Sequence, residues 1–261
     1  MNVLIGDIGN TITKICLVKI KNLKLKKIIY FNSYNITSIN SLKKNLKKII
    51  KNKSINKVAL FSSVVPKYQS ILKKFLERVY KIKLREIKEN AINKIVKINI
   101  KNKNQVGSDR IANAVGVYKK YKTNCIVLDF GTATTFDVVT KNGVYNGGVI
   151  APGVNLSIKS LAKSADQIPI FSIKKQKQVV GKNTIEALYS GFYWGYSGLI
   201  NNIILKIEKE TKKKYKIIFT GGYADLFNSS IIRNYTIDRN ITIKGIIEIF
   251  RKNENYFNVI K

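Results

Sequence analysis

Val3-Leu4-Ile5-Gly6-Asp7-Ile8-Gly9-Asn10-Thr11 stands at the head of the chain, and Ile126-Val127-Leu128-Asp129-Phe130-Gly131-Thr132-Ala133-Thr134-Thr135 repeats its plan far downstream. In both stretches a short apolar strand runs into Asp-x-Gly-(Asn/Thr)-x-Thr. The glycine lets the backbone turn sharply and bring its N–H groups toward a ligand, while the neighbouring Asn or Thr side chains can donate to phosphate oxygens. A carboxylate beside a polyphosphate repels it unless a cation lies between them. Asp7 and Asp129 therefore point to Mg²⁺ or a monovalent ion, held directly or through water. One such copy also serves as an ordinary strand-to-hairpin turn. Two copies, each followed by a strand-like run (13 to 18 and 136 to 140), suggest an internal duplication: two related α/β lobes facing each other across a nucleotide.

The 261 residues allow one large domain or two of ordinary size. Cys16 and Cys125 lie inside apolar strand-like runs and read as buried thiols, with no disulfide or metal framework. The chain has no histidine, which excludes Ser-His-Asp and Cys-His nucleophilic catalysis, His-ligated zinc and imidazole proton shuttling within it. Acid–base work falls to only 15 carboxylates. The net charge of +33 raises the question of nucleic acid, but just six of the 48 basic residues are arginine, the usual choice for bidentate phosphate and base contacts. The lysines are spread along the whole chain and accompany an excess of Asn, Ile and Tyr, as in an A/T-rich genome. No nucleic-acid partner is expected, although the positive field draws anionic substrates. The interrupted apolar start lacks the features of a secretion signal, and no run reaches the length of a membrane span. The expectation is a cytoplasmic protein with no membrane partner.

Strand-like segments are expected at 2–7, 12–20 and 25–34, then an amphipathic helix through Leu42, Leu46 and Ile49 and a buried strand at 57–61. Pro66 opens a second helix, and another strand is expected over 95–100. Lys141-Asn142-Gly143 signals a hairpin turn, a long helix covers 184–211, and Gly221-Gly222 leads into a helix at Ala224. The domain division is expected at 1–115 and 116–261.

Between the two repeats lies Gly107-Ser108-Asp109-Arg110-Ile111-Ala112-Asn113-Ala114-Val115-Gly116. Asp109 in the first turn of a helix shares a face with Asn113. Two readings fit that spacing. One is a capped helix whose dipole stabilises the carboxylate, with Arg110 in a surface ion pair. In the other, Asp109 is a general base that takes the proton of a substrate hydroxyl attacking the γ-phosphorus of ATP, and Arg110 holds an anionic group of the acceptor.

Six ordered pieces resemble the type III pantothenate kinase family: 7–14, Gly107-Ser108-Asp109-Arg110 with Asn113 and Gly116, 129–135, 147–153, Gly181-Lys182-Asn183-Thr184 and Thr220-Gly221-Gly222. The resemblance covers nearly the whole chain. It implies the acetate and sugar kinase/Hsp70/actin fold: α/β, with two ribonuclease-H-like lobes of mixed sheets flanked by helices, ATP in the cleft between them, and a homodimer. It also implies ATP-dependent phosphorylation of the primary hydroxyl of pantothenate to 4'-phosphopantothenate, the first step of coenzyme A biosynthesis. On this resemblance Asp7, Ile8, Gly9, Asn10, Thr11, Ile12, Thr13, Lys14, Thr132, Gly221 and Gly222 contact ATP, with Asp7 near Mg²⁺ through water. Gly107, Ser108, Asp109, Arg110 and Thr184 contact pantothenate, Asp109 being the catalytic base, and Asp129 binds a monovalent cation, K⁺ or NH₄⁺. Many relatives carry Tyr seven residues before the Gly of Gly-x-Asp-Arg and Asn-Pro shortly afterwards; here these positions read Ile100, Asn102 and Lys103. The missing Tyr removes one possible substrate hydrogen bond, and the missing Pro loosens the loop before Asp109. The rival readings are a non-catalytic nucleotide-binding or regulatory member of the fold, a kinase for another small hydroxy acid, and a phosphatase of the fold.

Overall fold

The computed structural model describes residues 1–51, 53–89, 95–227 and 234–254. The chain packs as two compact units. The first holds residues 1–120, 143–145 and the last helix; the second holds 121–142 and 146–239.

The first unit is built on β1 (Asn2–Ile8), β2 (Ile12–Lys19), β3 (Lys24–Asn32), β4 (Val58–Ser63) and β5 (Lys83–Glu86), in the order β3-β2-β1-β4-β5. The hairpin pairs β1/β2 and β2/β3 are antiparallel, whereas β1/β4 and β4/β5 are parallel. Helices α1 (Ile39–Ile50) and α2 (Pro66–Tyr80) join the parallel strands. Ser38 caps α1 through its side chain, Pro66 sits at the start of α2, and the left-handed Lys81 ends it. Leu42, Leu46, Ile49, Leu72, Phe75 and Leu76 close over Leu4, Ile8, Ile15, Leu17 and Phe61. Each such side chain contributes about 1.5–3 kcal/mol of burial. Val3, Ile5, Cys16 and Leu60 are buried as well, and α6 (Ile241–Lys252) packs on β1 and β4. The central strands are covered on both faces, which is why they read as continuous apolar runs.

Helix α3 (Ser108–Tyr121) crosses α6 with no room for side chains between the backbones. A methyl group on Gly245 would overlap Ala112 O, and one on Gly116 would lie 2.5 Å from Ile241 O. Beside this crossing, Thr242 Oγ1 donates to Asn113 Oδ1 at 2.8 Å.

A second sheet has the order β11-β10-β7-β8-β9-β6, with β6 (Lys97–Ile98), β7 (Cys125–Phe130), β8 (Ala133–Val139), β9 (Val144–Pro152), β10 (Lys216–Gly221) and β11 (Tyr235–Ile237). From β9 to β11 this order matches β3 to β5, so the expected duplication extends from the turn motifs to the topology. Helices α4 (Val154–Ser164) and α5 (Thr184–Thr211) complete the second unit. Its core gathers Ile126, Leu128, Phe136, Tyr193, Ile200, Ile204, Phe219 and Phe227.

Two expected elements differ. The 95–100 strand shrinks to Lys97–Ile98, an edge strand with a single neighbour and lysine and asparagine on its outer positions. No helix opens at Ala224: residues 222–226 form turns that bury Ala224 and Phe227, and Phe227 stacks on Phe130 at 5.5 Å. Residues 228–233 of that expected helix lie outside the described residues. Both cysteines are buried as expected, and burial pushes each thiol up to about 12. Among the described residues, no helix is long and apolar enough to cross a membrane.

Candidate functional site

In the first unit, Asp7 pairs in register with Lys14 across the β1–β2 hairpin, and Ile8 with Thr13. The hairpin turn is closed by Gly9 N donating to Ile12 O at 3.2 Å. Asp7 is buried, and its Oδ1 accepts a 2.9 Å hydrogen bond from Ser62 Oγ on β4. Ser33, fully buried on the turn after β3, supports the hairpin from behind. Its Oγ donates to Gly9 O at 2.6 Å and meets Thr13 Oγ1 at 2.9 Å, and its amide donates to Thr11 O at 2.8 Å. The carbonyls of Gly9, Thr11 and Ile12 are thus each engaged by a donor. Ile8 and Thr13 are fully buried, so their side chains serve packing. Asn10, Thr11 and Ile12 are exposed at the tip.

The segment expected to hold the acceptor, 107–110, lies in the same unit. Ser108 Oγ donates to Ser63 O at 2.6 Å and accepts from Ser63 N at 3.1 Å, tying the start of α3 to the end of β4. Asp109 stands in the first turn of α3, half-buried, and Arg110 N donates to its Oδ1 at 2.8 Å. Any side chain at Gly107 would place its Cβ 2.5 Å from that same oxygen. The Arg110 guanidinium lies 5.8 Å from the centre of the Tyr145 ring, a cation–π contact that helps to orient it. Asn113, one turn on from Asp109, is buried under α6 and bonded to Thr242. Glu86, at the end of β5, is buried too. Desolvation raises its carboxyl above the ordinary range, with the Lys88 amide and the Ser108 side chain acting the other way.

In the second unit, Asp129 is the penultimate residue of β7, and Thr135 and Thr220 are its register partners on the neighbouring strands. Gly131 N donates to Ala133 O at 3.1 Å and closes the turn. Two glycine turns press against it. Gly221, at φ +85°, would bring a side chain to within 2.6 Å of the Phe130 backbone, and Gly222 N donates to Phe130 O at 3.0 Å. A methyl on Gly153 would overlap Thr132 O. Expected contacts Thr132, Gly221 and Gly222 are therefore brought together around residues 130–132. Thr184 is the exposed first residue of α5, just after Asn183, whose Oδ1 accepts from Glu186 N at 2.9 Å, while Glu186 Oε2 accepts from Lys182 N at 2.8 Å. That helix cap accounts for much of the Gly181–Thr184 motif.

No group of three or more Cys, Asp or Glu that could cage a metal occurs among the described residues. A single buried carboxylate such as Asp7 nevertheless fits Mg²⁺, which keeps several waters and takes its remaining ligands from substrate phosphates. At Asp129, the residue expected to hold a monovalent cation, one further oxygen stands beside the carboxylate's strand. The register partner Thr220 is fully buried, with a hydroxyl that has no hydrogen-bond partner among the described residues and is available as an oxygen ligand.

Sequence reading missed Ser33, Ser62 and Tyr145. None lies in the glycine-and-aspartate motifs, and each joins the site through a partner distant in the chain.

The duplicated β-hairpin-plus-parallel-strand sheet, with an Asp-x-Gly turn in each unit, defines an α/β protein of the actin, Hsp70 and sugar-kinase type. Two solved structures share this fold. An activator of the 2-hydroxyisocaproyl-CoA dehydratase from Clostridium difficile, with bound ADPNP, gives a TM-score of 0.57 at 10% identity over 100% of this chain and 98% of its own. An inorganic polyphosphate/ATP-glucomannokinase from Arthrobacter gives 0.50 at 12% identity over 96% and 99%. The sequence model of the type III pantothenate kinase family matches residues 3–206. A type III pantothenate kinase from Pelagibacter ubique is 52% identical over 94% of this chain and 97% of its own, and one from Sulfurihydrogenibium is 36% identical over the same shares. The chain belongs to the type III pantothenate kinase family.

Proposed function

We propose that the chain transfers the γ-phosphoryl group of ATP to the primary hydroxyl of pantothenate, giving 4'-phosphopantothenate and ADP in coenzyme A biosynthesis in the cytoplasm. The observation that carries this reading is Asp109 in the first turn of α3, on a segment tied to β4 through Ser108 and Ser63. The hydroxyl oxygen attacks the γ-phosphorus, the bond to the β-phosphate oxygen breaks, and the hydroxyl proton passes to the Asp109 carboxylate. No covalent enzyme intermediate forms. Arg110, oriented over Tyr145, holds the acceptor's carboxylate, with Gly107, Ser108 and Thr184 as further acceptor contacts. Residues 7–14 and Thr132, Gly221 and Gly222 bind ATP. Mg²⁺ near Asp7 and K⁺ or NH₄⁺ at Asp129 supply charge compensation for the polyphosphate.

The functional form is a homodimer. Gly191, Gly195 and Gly198 fall on one face of α5, and a methyl group built on any of them would meet nothing within 4 Å. Exposed Trp194 and Leu205 extend the same face. Such a stripe suits close approach by a second copy of this helix.

The test is ADP release by the purified chain with Mg-ATP, with and without pantothenate, in K⁺ and then Na⁺ buffer. Pantothenate-dependent, K⁺-stimulated turnover is expected. ATP binding without any stimulation by pantothenate would overturn the acceptor assignment.

A further inference from the structure

The loop that delivers Gly107 to Arg110 has little support of its own. Residues 101–105 are exposed, and the loop contains one short 3-10 turn, Lys103–Gln105, and no proline. Its backbone is held from outside. Lys88, on the turn after β5, reaches over it with Nζ 3.0 Å from Asn104 O and 2.8 Å from Val106 O. Lys88 is itself fixed: its amide donates to Glu86 Oε2 at 2.6 Å, and Glu89 N donates to Glu86 O at 3.0 Å. The Arg85–Glu89 ion pair at 3.3 Å spans the same turn. The far end of the loop is fixed by the Ser108–Ser63 bonds. Asp109 follows directly on a segment gripped at both ends.

We infer that Lys88 is a positioning residue for acceptor phosphorylation: its ammonium bridges the carbonyls of Asn104 and Val106 and sets where Asp109 and Arg110 stand. An ammonium carries three donors and no acceptor, so it can serve two carbonyls at once, and a charged donor makes the stronger bond. It does the work that a proline would do in the loop by restricting the backbone. Small displacements are costly, because a misplacement of about 1 Å can lower turnover by about 100-fold. The inference rests on the reading of 107–110 as the acceptor segment.

The experiment compares Lys88→Met and Lys88→Arg with the unaltered chain, reading both steady-state kinetics and amide hydrogen exchange over 101–110. Lys88→Met should lower kcat/KM for pantothenate by about 10-fold to 100-fold, while KM for ATP stays within about twofold. Exchange in the loop should quicken in Lys88→Met. Lys88→Arg, which keeps charged donors, should recover most of both signals. Unchanged exchange in Lys88→Met, or equal losses toward ATP and pantothenate, would overturn the inference. Asp109→Asn is run in parallel: full activity there sinks the acceptor-segment reading, while the exchange result still decides whether Lys88 holds the loop.

Discussion

Ser62 Oγ donates a 2.9 Å hydrogen bond to Asp7 Oδ1, and the two residues are direct register partners on parallel strands β4 and β1. A hydrogen bond to a charged group is worth about 1.5–3 kcal/mol. Ser62→Ala should therefore weaken Mg-ATP binding by about 10-fold to 100-fold, with KM for pantothenate unchanged. Titration calorimetry with Mg-ATP checks the first point and steady-state kinetics the second.

Asp109→Asn keeps an oxygen to accept the Arg110 amide but removes the base. kcat should fall by about 10²–10⁴-fold, with the circular dichroism spectrum unaltered. Near-normal turnover would remove Asp109 from the base role.

At the α3–α6 crossing, Gly245→Ala forces the helices apart, because the added methyl overlaps Ala112 O. The expected destabilisation is about 1–3 kcal/mol or more, read as a lower midpoint in urea denaturation. The same substitution at Gly195, which faces open space, should instead raise helix stability in the protomer.

A charge on the open face of α5 tests self-association. Gly195→Glu should shift the protein toward monomers in sedimentation equilibrium at micromolar concentration. A protein that sediments identically with and without the substitution would show that this face is not the dimer contact.

Glu86 gives a pH test whose sign follows from its burial. The folded chain holds the Glu86 proton more tightly than the unfolded chain, whose carboxyl titrates near 4.5. The cost of ionising it is absent below that value, grows as pH rises through the folded-state value, and is constant above it. The stability of Glu86→Gln relative to the unaltered chain should therefore rise with pH from acid toward neutral and then level off, measured as the difference in Tm.

What the sequence reveals and what it hides differ in range along the chain. The hairpins at 7–14 and 129–135 are legible because an Asp-x-Gly turn after an apolar strand is a local constraint, written in adjacent residues. The Ser108 and Asp109 helix start is legible for the same reason. Ser33, Lys88 and Tyr145 act on the turn at Gly9, the 104–106 carbonyls and Arg110 across long separations. No periodicity announces such pairings. No helix opens at Ala224 itself, where residues 222–226 form turns and Phe227 is drawn into the core beside Phe130, a tertiary demand that outweighs local preference.

Helix α6 is made after the whole second unit, yet it belongs to the unit whose strands are made before it. Until it arrives, α3 lacks the partner that meets Gly116 and Asn113. The helix bearing Asp109 is therefore finished only after the whole second unit has been synthesised. A product that ends before residue 241 can therefore carry both Asp-x-Gly hairpins and still lack the helix that packs against α3.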